Sequence, residues 1–124
     1  MKYSRIYNPP ALIARIKLRN PETLETIADV PMMLDTGADI TLLPGKFCDQ
    51  IGVKVLDTES LELEGFNQMI TVAFHVSLDF IFLSKIFRGR FLVYDQNEGI
   101  IGRDVLNKFS ILFDGKNLEW KAEK

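Results

Sequence analysis

Met32-Met33-Leu34-Asp35-Thr36-Gly37-Ala38-Asp39 is the stretch whose reading decides the fold. An apolar run of strand character ends on an acid, followed by a small hydroxyl residue and a glycine, after which the chain has to turn. An ionised carboxylate at the mouth of a buried strand is costly to desolvate, so it needs a structural partner or a chemical role. A strand-end acid that merely caps a turn is the plainer reading; the segments around it favour the chemical one.

Towards the N-terminus, Asn8-Pro9-Pro10 stops regular structure, and Leu12, Ala14, Ile16 and Leu18 then alternate with Arg15 and Lys17. That period of two predicts a half-buried strand over Ala11 to Leu18. Asn20-Pro21 marks a turn, and Thr23 to Ile27 with Val30 to Leu34 reads as a return strand, broken near Asp29 and Pro31, that delivers Asp35 to its end.

Beyond Gly37, Ile40 to Leu43 is again apolar. Pro44-Gly45 opens a short helix over Lys46 to Ile51, closed by Gly52, and Val53 to Leu56 reads as a short strand. Leu61 and Leu63 alternate with Glu62 and Glu64 before a turn at Gly65-Phe66-Asn67-Gln68. From Met69 a long return carries Val72, Phe74, Val76, Leu78, Phe80 and Phe82 on one face, with Thr71, Ala73, His75, Ser77 and Asp79 opposite. This hairpin has an outgoing limb too polar for a deep core, so it projects as a lid. Phe87 to Tyr94 is a further strand, Ile100-Ile101-Gly102 a short buried run, and Arg103 to Phe109 a short helix with Asp104 in its first turn, where the dipole favours an acid. Ser110 to Phe113 and Leu118 to Lys121 close the chain as a hairpin. The class is all-β with two short helices. Met33-Leu34-Asp35 and Ile100-Ile101-Gly102, each followed by a helix, form a weak internal echo.

With 124 residues and 47% hydrophobic content, residues 1–124 read as one domain with a real core. The net charge is −2, and the basic residues are scattered rather than gathered into a run, which speaks against nucleic acid as a partner. Cys48 is alone, so no intrachain disulfide forms, and with His75 as the one histidine there is no usual four-ligand zinc site; neither metal nor cofactor is expected. A reducing, cytoplasmic setting fits. Neither a targeting segment nor a membrane span is read, because Met1 to Tyr7 has no apolar core of signal-peptide length and the greasiest later stretch, Val72 to Phe87, is interrupted by His75, Asp79 and Lys85. Cys48 is read as a packing residue, and His75 as a hydrogen-bonded or exposed one.

Leu34-Asp35-Thr36-Gly37-Ala38-Asp39, the lid-like hairpin, and Ile100-Ile101-Gly102-Arg103-Asp104, with Gly102 67 positions after Asp35, together resemble a retropepsin-like aspartic protease of the stand-alone cellular or prokaryotic kind. The resemblance runs from Ala11 to about Phe113. It implies an acid protease barrel and metal-free peptide hydrolysis, in which a water is held between two carboxylates that share one proton. The chain has a single Asp-Thr-Gly, so the resemblance makes Asp35 of a second copy the other acid and puts the active site at a homodimer interface.

Carried over residue by residue, Asp35 resembles the catalytic acid, Thr36 the hydroxyl that bonds across the dimer, and Gly37 the position of close backbone approach. Ala38 and Asp39 resemble positions that meet the substrate backbone, and Gly65, Phe66 and Asn67 the flap tip that closes over an extended peptide. Ile101, Gly102 and Arg103 resemble the support of the active-site loop, with Asp39 as the bidentate ionic partner of Arg103. The sequence departs from the retroviral pattern in a bulkier flap tip, in Ala38 where a serine is usual, and in the closing hairpin. The resemblance also implies an optimum less acid than that of the pepsins. The implied partners are a second copy and a peptide or protein substrate. The reading from a different class is a catalytically silent dimerisation or peptide-binding module of the same fold.

Overall fold

The structure, a computed structural model, describes residues 1–56, 61–64 and 70–123. Among these are nine strands and two short helices. In chain order they are β1 (Ile13–Arg19), β2 (Thr26–Leu34), β3 (Leu42–Pro44), α1 (Gly45–Gln50), β4 (Leu61–Glu64), β5 (Ile70–Phe82), β6 (Lys85–Tyr94), β7 (Gly99–Ile101), α2 (Arg103–Leu106), β8 (Ser110–Asp114) and β9 (Glu119–Glu123). None of the helices among the described residues is long and apolar enough to cross a membrane.

The strands pair in the order β1-β2-β7-β3-β6-β5, and β5 returns to pair with β1, closing a six-stranded barrel. β5 is long enough to have two partners on one side: its first residues pair with β4, from Ile70 opposite Glu64 to Ala73 opposite Leu61, and Asp79 to Ile81 pair with β1. The first third of β5 thereby leaves the barrel wall as the return limb of a hairpin. This explains why Val72, expected on the core face, is exposed, whereas Ala73 is buried.

Alternation in β1 and β5 sends Ile16, Leu18, Val76, Leu78 and Phe80 inwards, where they meet Val30, Met32 and Leu43. Burying each large side chain of this set contributes about 1.5–3 kcal/mol. Phe80 is stacked on Phe91 and meets Phe82 and Phe87 edge-on. The β8–β9 hairpin forms its own two-stranded sheet and brings Trp120, 2% exposed, to 6.3 Å from Phe82. Cys48 is buried on α1, and burial pushes its thiol up to about 12, in keeping with a packing residue.

Three local expectations are revised. β2 is one continuous strand rather than a broken one: the register shifts between Ile16 opposite Val30 and Leu18 opposite Ile27, a bulge where Asp29 takes φ 59°, and Pro31 still pairs with Arg15. Val53 to Leu56 does not form a strand, although the Leu56 N–H donates to the His75 carbonyl at 2.8 Å. α2 ends at Leu106, not Phe109.

β7 occupies the place that positions the site. It runs parallel to β2 and antiparallel to β3, with Met33 opposite Ile100 and Leu34 opposite Ile101. The two echoing segments of the sequence are therefore neighbours in the sheet, aligned as their likeness aligns them.

Candidate active site

Asp35 is the first residue past β2, and its backbone is tied on both sides. The Leu34 N–H donates to the Leu12 carbonyl and the Asp35 N–H to the Ile101 carbonyl, both at 3.0 Å. The chain then folds tightly: the Gly37 N–H donates to Asp35 Oδ1 at 2.9 Å, and the Ala38 N–H to the Asp35 carbonyl at 3.2 Å. Asp35 is half-buried, and Thr36 and Gly37 beside it are exposed. A glycine suits this turn because a Cβ at Gly37 would stand 3.2 Å from Asp35 Oδ1.

Arg103 grips the loop from the far side. Its Nη1 donates to the Thr36 carbonyl at 2.7 Å, its Nη2 pairs with Asp39 Oδ1, and its backbone N–H donates to the Ala38 carbonyl at 2.9 Å. The fork is thus divided between Asp39 and Thr36 and is not bidentate on Asp39 as the resemblance implied. A planar guanidinium with diverging donors can hold two acceptors at a fixed separation, which a lysine cannot.

A second tie was not read from the sequence. Thr41, fully buried, accepts from the Gly102 N–H at 3.1 Å and donates through Oγ1 to Asp104 Oδ1 at 2.6 Å, and its own N–H donates to Asp104 Oδ2 at 3.1 Å. Asp104 therefore clamps the start of β3 as well as standing in the first turn of a helix. The available signal was a lone hydroxyl residue inside the apolar run Ile40 to Leu43.

Asp35, Thr36, Gly37, Ala38, Asp39, Ile101, Gly102 and Arg103 are thus brought together in one loop-and-strand unit. Gly65, Phe66 and Asn67 lie outside the described residues. Asp39 is paired with Arg103, and Asp104 accepts two hydrogen bonds from Thr41, whereas the carboxylate of Asp35 accepts from the Gly37 N–H of its own turn. No group of three or more His, Cys, Asp or Glu side chains among the described residues could hold a metal ion.

A sequence model of the family described as aspartyl protease matches residues 20–105, well over half of the chain. The chain belongs to the aspartyl protease family. Two solved structures give its fold a context. The EIAV protease complexed with the inhibitor HBY-793 is 18% identical, with 87% of this chain and 93% of that one covered at a TM-score of 0.63. The retroviral protease-like domain of Ddi1 from Leishmania major is 16% identical, with 91% and 88% covered at a TM-score of 0.57. The fold of this aspartyl protease family member is retropepsin-like. No curated protein matches the sequence.

In this protease fold Gly102 is required for space. Its φ of −91° and ψ of −176° are open to any residue, but a Cβ there would stand 2.7, 2.8 and 2.9 Å from the carbonyl carbon, oxygen and nitrogen of Ile40. The Ile40 backbone cannot yield as a flexible side chain would, so Gly102→Ala is expected to cost about 1–3 kcal/mol. The same change pushes Arg103 off Thr36 and Asp39. Thermal melting reads the first effect, and any peptide cleavage by the wild type is expected to fall with the second.

Proposed function

We propose that two copies of this chain form a homodimeric aspartic endopeptidase, with Asp35 of each copy flanking one water. The observation that carries this reading is a half-buried Asp35, held by its N–H on the Ile101 carbonyl of β7 and by the Gly37 N–H on its carboxylate, in a loop whose other acid is already paired. A single carboxylate cannot act as base and acid in the same step, and the chain contains one Asp-Thr-Gly, so a two-fold axis supplies the second.

One carboxylate takes a proton from the water, whose oxygen attacks the scissile carbonyl carbon, while the protonated partner gives its proton to the carbonyl oxygen. The tetrahedral gem-diol collapses as the first carboxyl gives its proton to the amide nitrogen, one hydroxyl of the diol returns a proton to the second carboxylate and the C–N bond breaks, which leaves one proton on the pair as at the start. Thr36 links the two loops through its hydroxyl, and Gly37 allows their approach. Ala38 and Asp39 meet the backbone of an extended peptide. Gly65, Phe66 and Asn67 close over that peptide as a flap. Ile101, Gly102 and Arg103 hold the loop. The unit acts as one domain over residues 1–124, in the cytoplasm.

The test is cleavage of a mixed peptide library by the full chain from mildly acid to neutral pH, read by mass spectrometry over a range of enzyme concentrations. The expected result is a rate that rises with the square of concentration when dilute and linearly once sedimentation shows a dimer. A folded dimer that cuts nothing would replace this reading with the silent peptide-binding or dimerisation module.

A further inference from the structure

The cations dispersed along the sequence are partly gathered by the sheet. β5 lies between β1 and β6, and its pairing sets Arg19 opposite Asp79 and Asp79 opposite Arg88, one row across three strands. Leu78 and Phe80 point into the core, so Asp79 points out of the barrel, yet it is fully buried because the two arginines lie over it. Arg19 Nε donates to Asp79 Oδ2 at 2.9 Å, and Arg88 donates to Oδ1 from Nε at 2.8 Å and to Oδ2 from Nη2 at 3.2 Å.

One arginine neutralises one carboxylate, so the second is surplus to charge balance. The Arg88 side chain is 70% exposed and the Arg19 side chain 26%. Each guanidinium has five N–H donors, and Asp79 takes only part of each set while fixing both planes. In the next row Lys17 stands opposite Ile81, and Ile81 opposite Ile86, with Lys17 and Ile86 exposed.

Strand geometry sets the spacing. Lys17 and Arg19 are about 6.7 Å apart along β1, and Arg88 is about 10 Å across the sheet. An extended peptide repeats the side chains of one face at the same interval of about 6.7 Å. Carboxylates at alternate positions match that ladder, and the Ile81–Ile86 pair offers an aliphatic seat beside it. Neither row carries an aromatic ring on which a nucleic-acid base could stack. Ile13 at the other end of β1 pairs with Met33, next to the Asp35 loop, so the Arg19 row lies about 20 Å away along the strand.

We propose that the outer face of β1, β5 and β6 around the Arg19–Asp79–Arg88 row is a docking surface for an extended acidic segment of a protein partner. Lys17 and Arg19 receive carboxylates at alternate positions of the segment, Arg88 receives a further carboxylate that reaches across β5, and Ile81 with Ile86 receives an aliphatic side chain. The surface is separate from the Asp35 loop and does not rest on the proteolytic reading.

The experiment is fluorescence anisotropy of the full chain with a labelled ten-residue peptide of alternating Glu and Val, the same residues arranged in two blocks, and an oligodeoxythymidylate. The alternating peptide is expected to bind about tenfold more tightly than the blocked one and to weaken from low to physiological salt. Lys17→Glu, a change at a side chain with no ion pair among the described residues, is expected to weaken binding about tenfold without shifting the melting temperature. Arg88→Gln, which leaves Arg19 on Asp79, is expected to weaken it too, and Asp35→Asn to leave it unchanged. Equal binding of the two arrangements, tighter binding of the oligonucleotide, indifference to Lys17→Glu or loss with Asp35→Asn would each overturn the proposal.

Discussion

Replacing Asp35 by asparagine is expected to abolish peptide cleavage, by about a thousandfold or more, while leaving the fold intact. The amide oxygen of the new side chain can still accept from the Gly37 N–H, and the backbone bonds to Leu12 and Ile101 do not involve the side chain. What is lost is the group that can take a proton from water and return it. Initial rates on a peptide that the wild type cuts, with thermal melting on the same samples, separate the two effects. A variant that melts like the wild type and keeps a tenth of its rate would remove Asp35 from the mechanism.

The largest expected loss of stability lies at Asp79. Hydrogen bonds from Arg88, and next from Arg19, hold its carboxyl below the usual carboxylate range against the opposing effect of burial. A folded-state value below the unfolded one contributes stability that is fully present above about pH 4 and is lost as the pH falls through the folded value. Asp79→Asn removes the charge and leaves two arginines facing each other over a buried amide. Because both can turn towards water, the expected cost is about 2–3 kcal/mol, below the full penalty for breaking a buried pair. That corresponds to a fall in melting temperature of about 10 °C at neutral pH. Denaturant titrations from pH 7 to pH 3 check the sign: the gap between wild type and variant is expected to close towards the acid end. A gap independent of pH would assign the loss to packing alone.

Much of the fold and of the candidate site could be read in the sequence where one short segment carries the whole signal. β1 announces itself by period two, and the end of β2 by an apolar run that stops on Asp35. The Ile100-Ile101-Gly102 run is short, apolar and glycine-bounded, as a buried central strand should be. What could not be read depends on register. Asp79 looks like one more residue of a polar face until β1 and β6 are aligned with β5, when two arginines 60 residues before and 9 residues after it arrive at its sides. Thr41 is similar, since its partners Gly102 and Asp104 are fixed only by the packing of β3 against β7. Val53 to Leu56 has the composition of a strand, yet among the described residues it reaches β5 through the single bond of Leu56 to His75, and composition alone cannot tell the two cases apart.

The loop around Asp35 takes its shape from residues far along the chain. Arg103 and Asp104, which hold Thr36 and Thr41, follow them by 67 and 63 residues. At translation rates of about 5–20 residues per second, that interval is roughly 3 to 13 s of synthesis, during which the Asp-Thr-Gly segment has emerged without the strand and helix that fix it. A nascent chain therefore carries its acid in an unformed loop until β7 and α2 arrive. Any hydrolytic capacity of this protein is deferred until synthesis has passed Asp104.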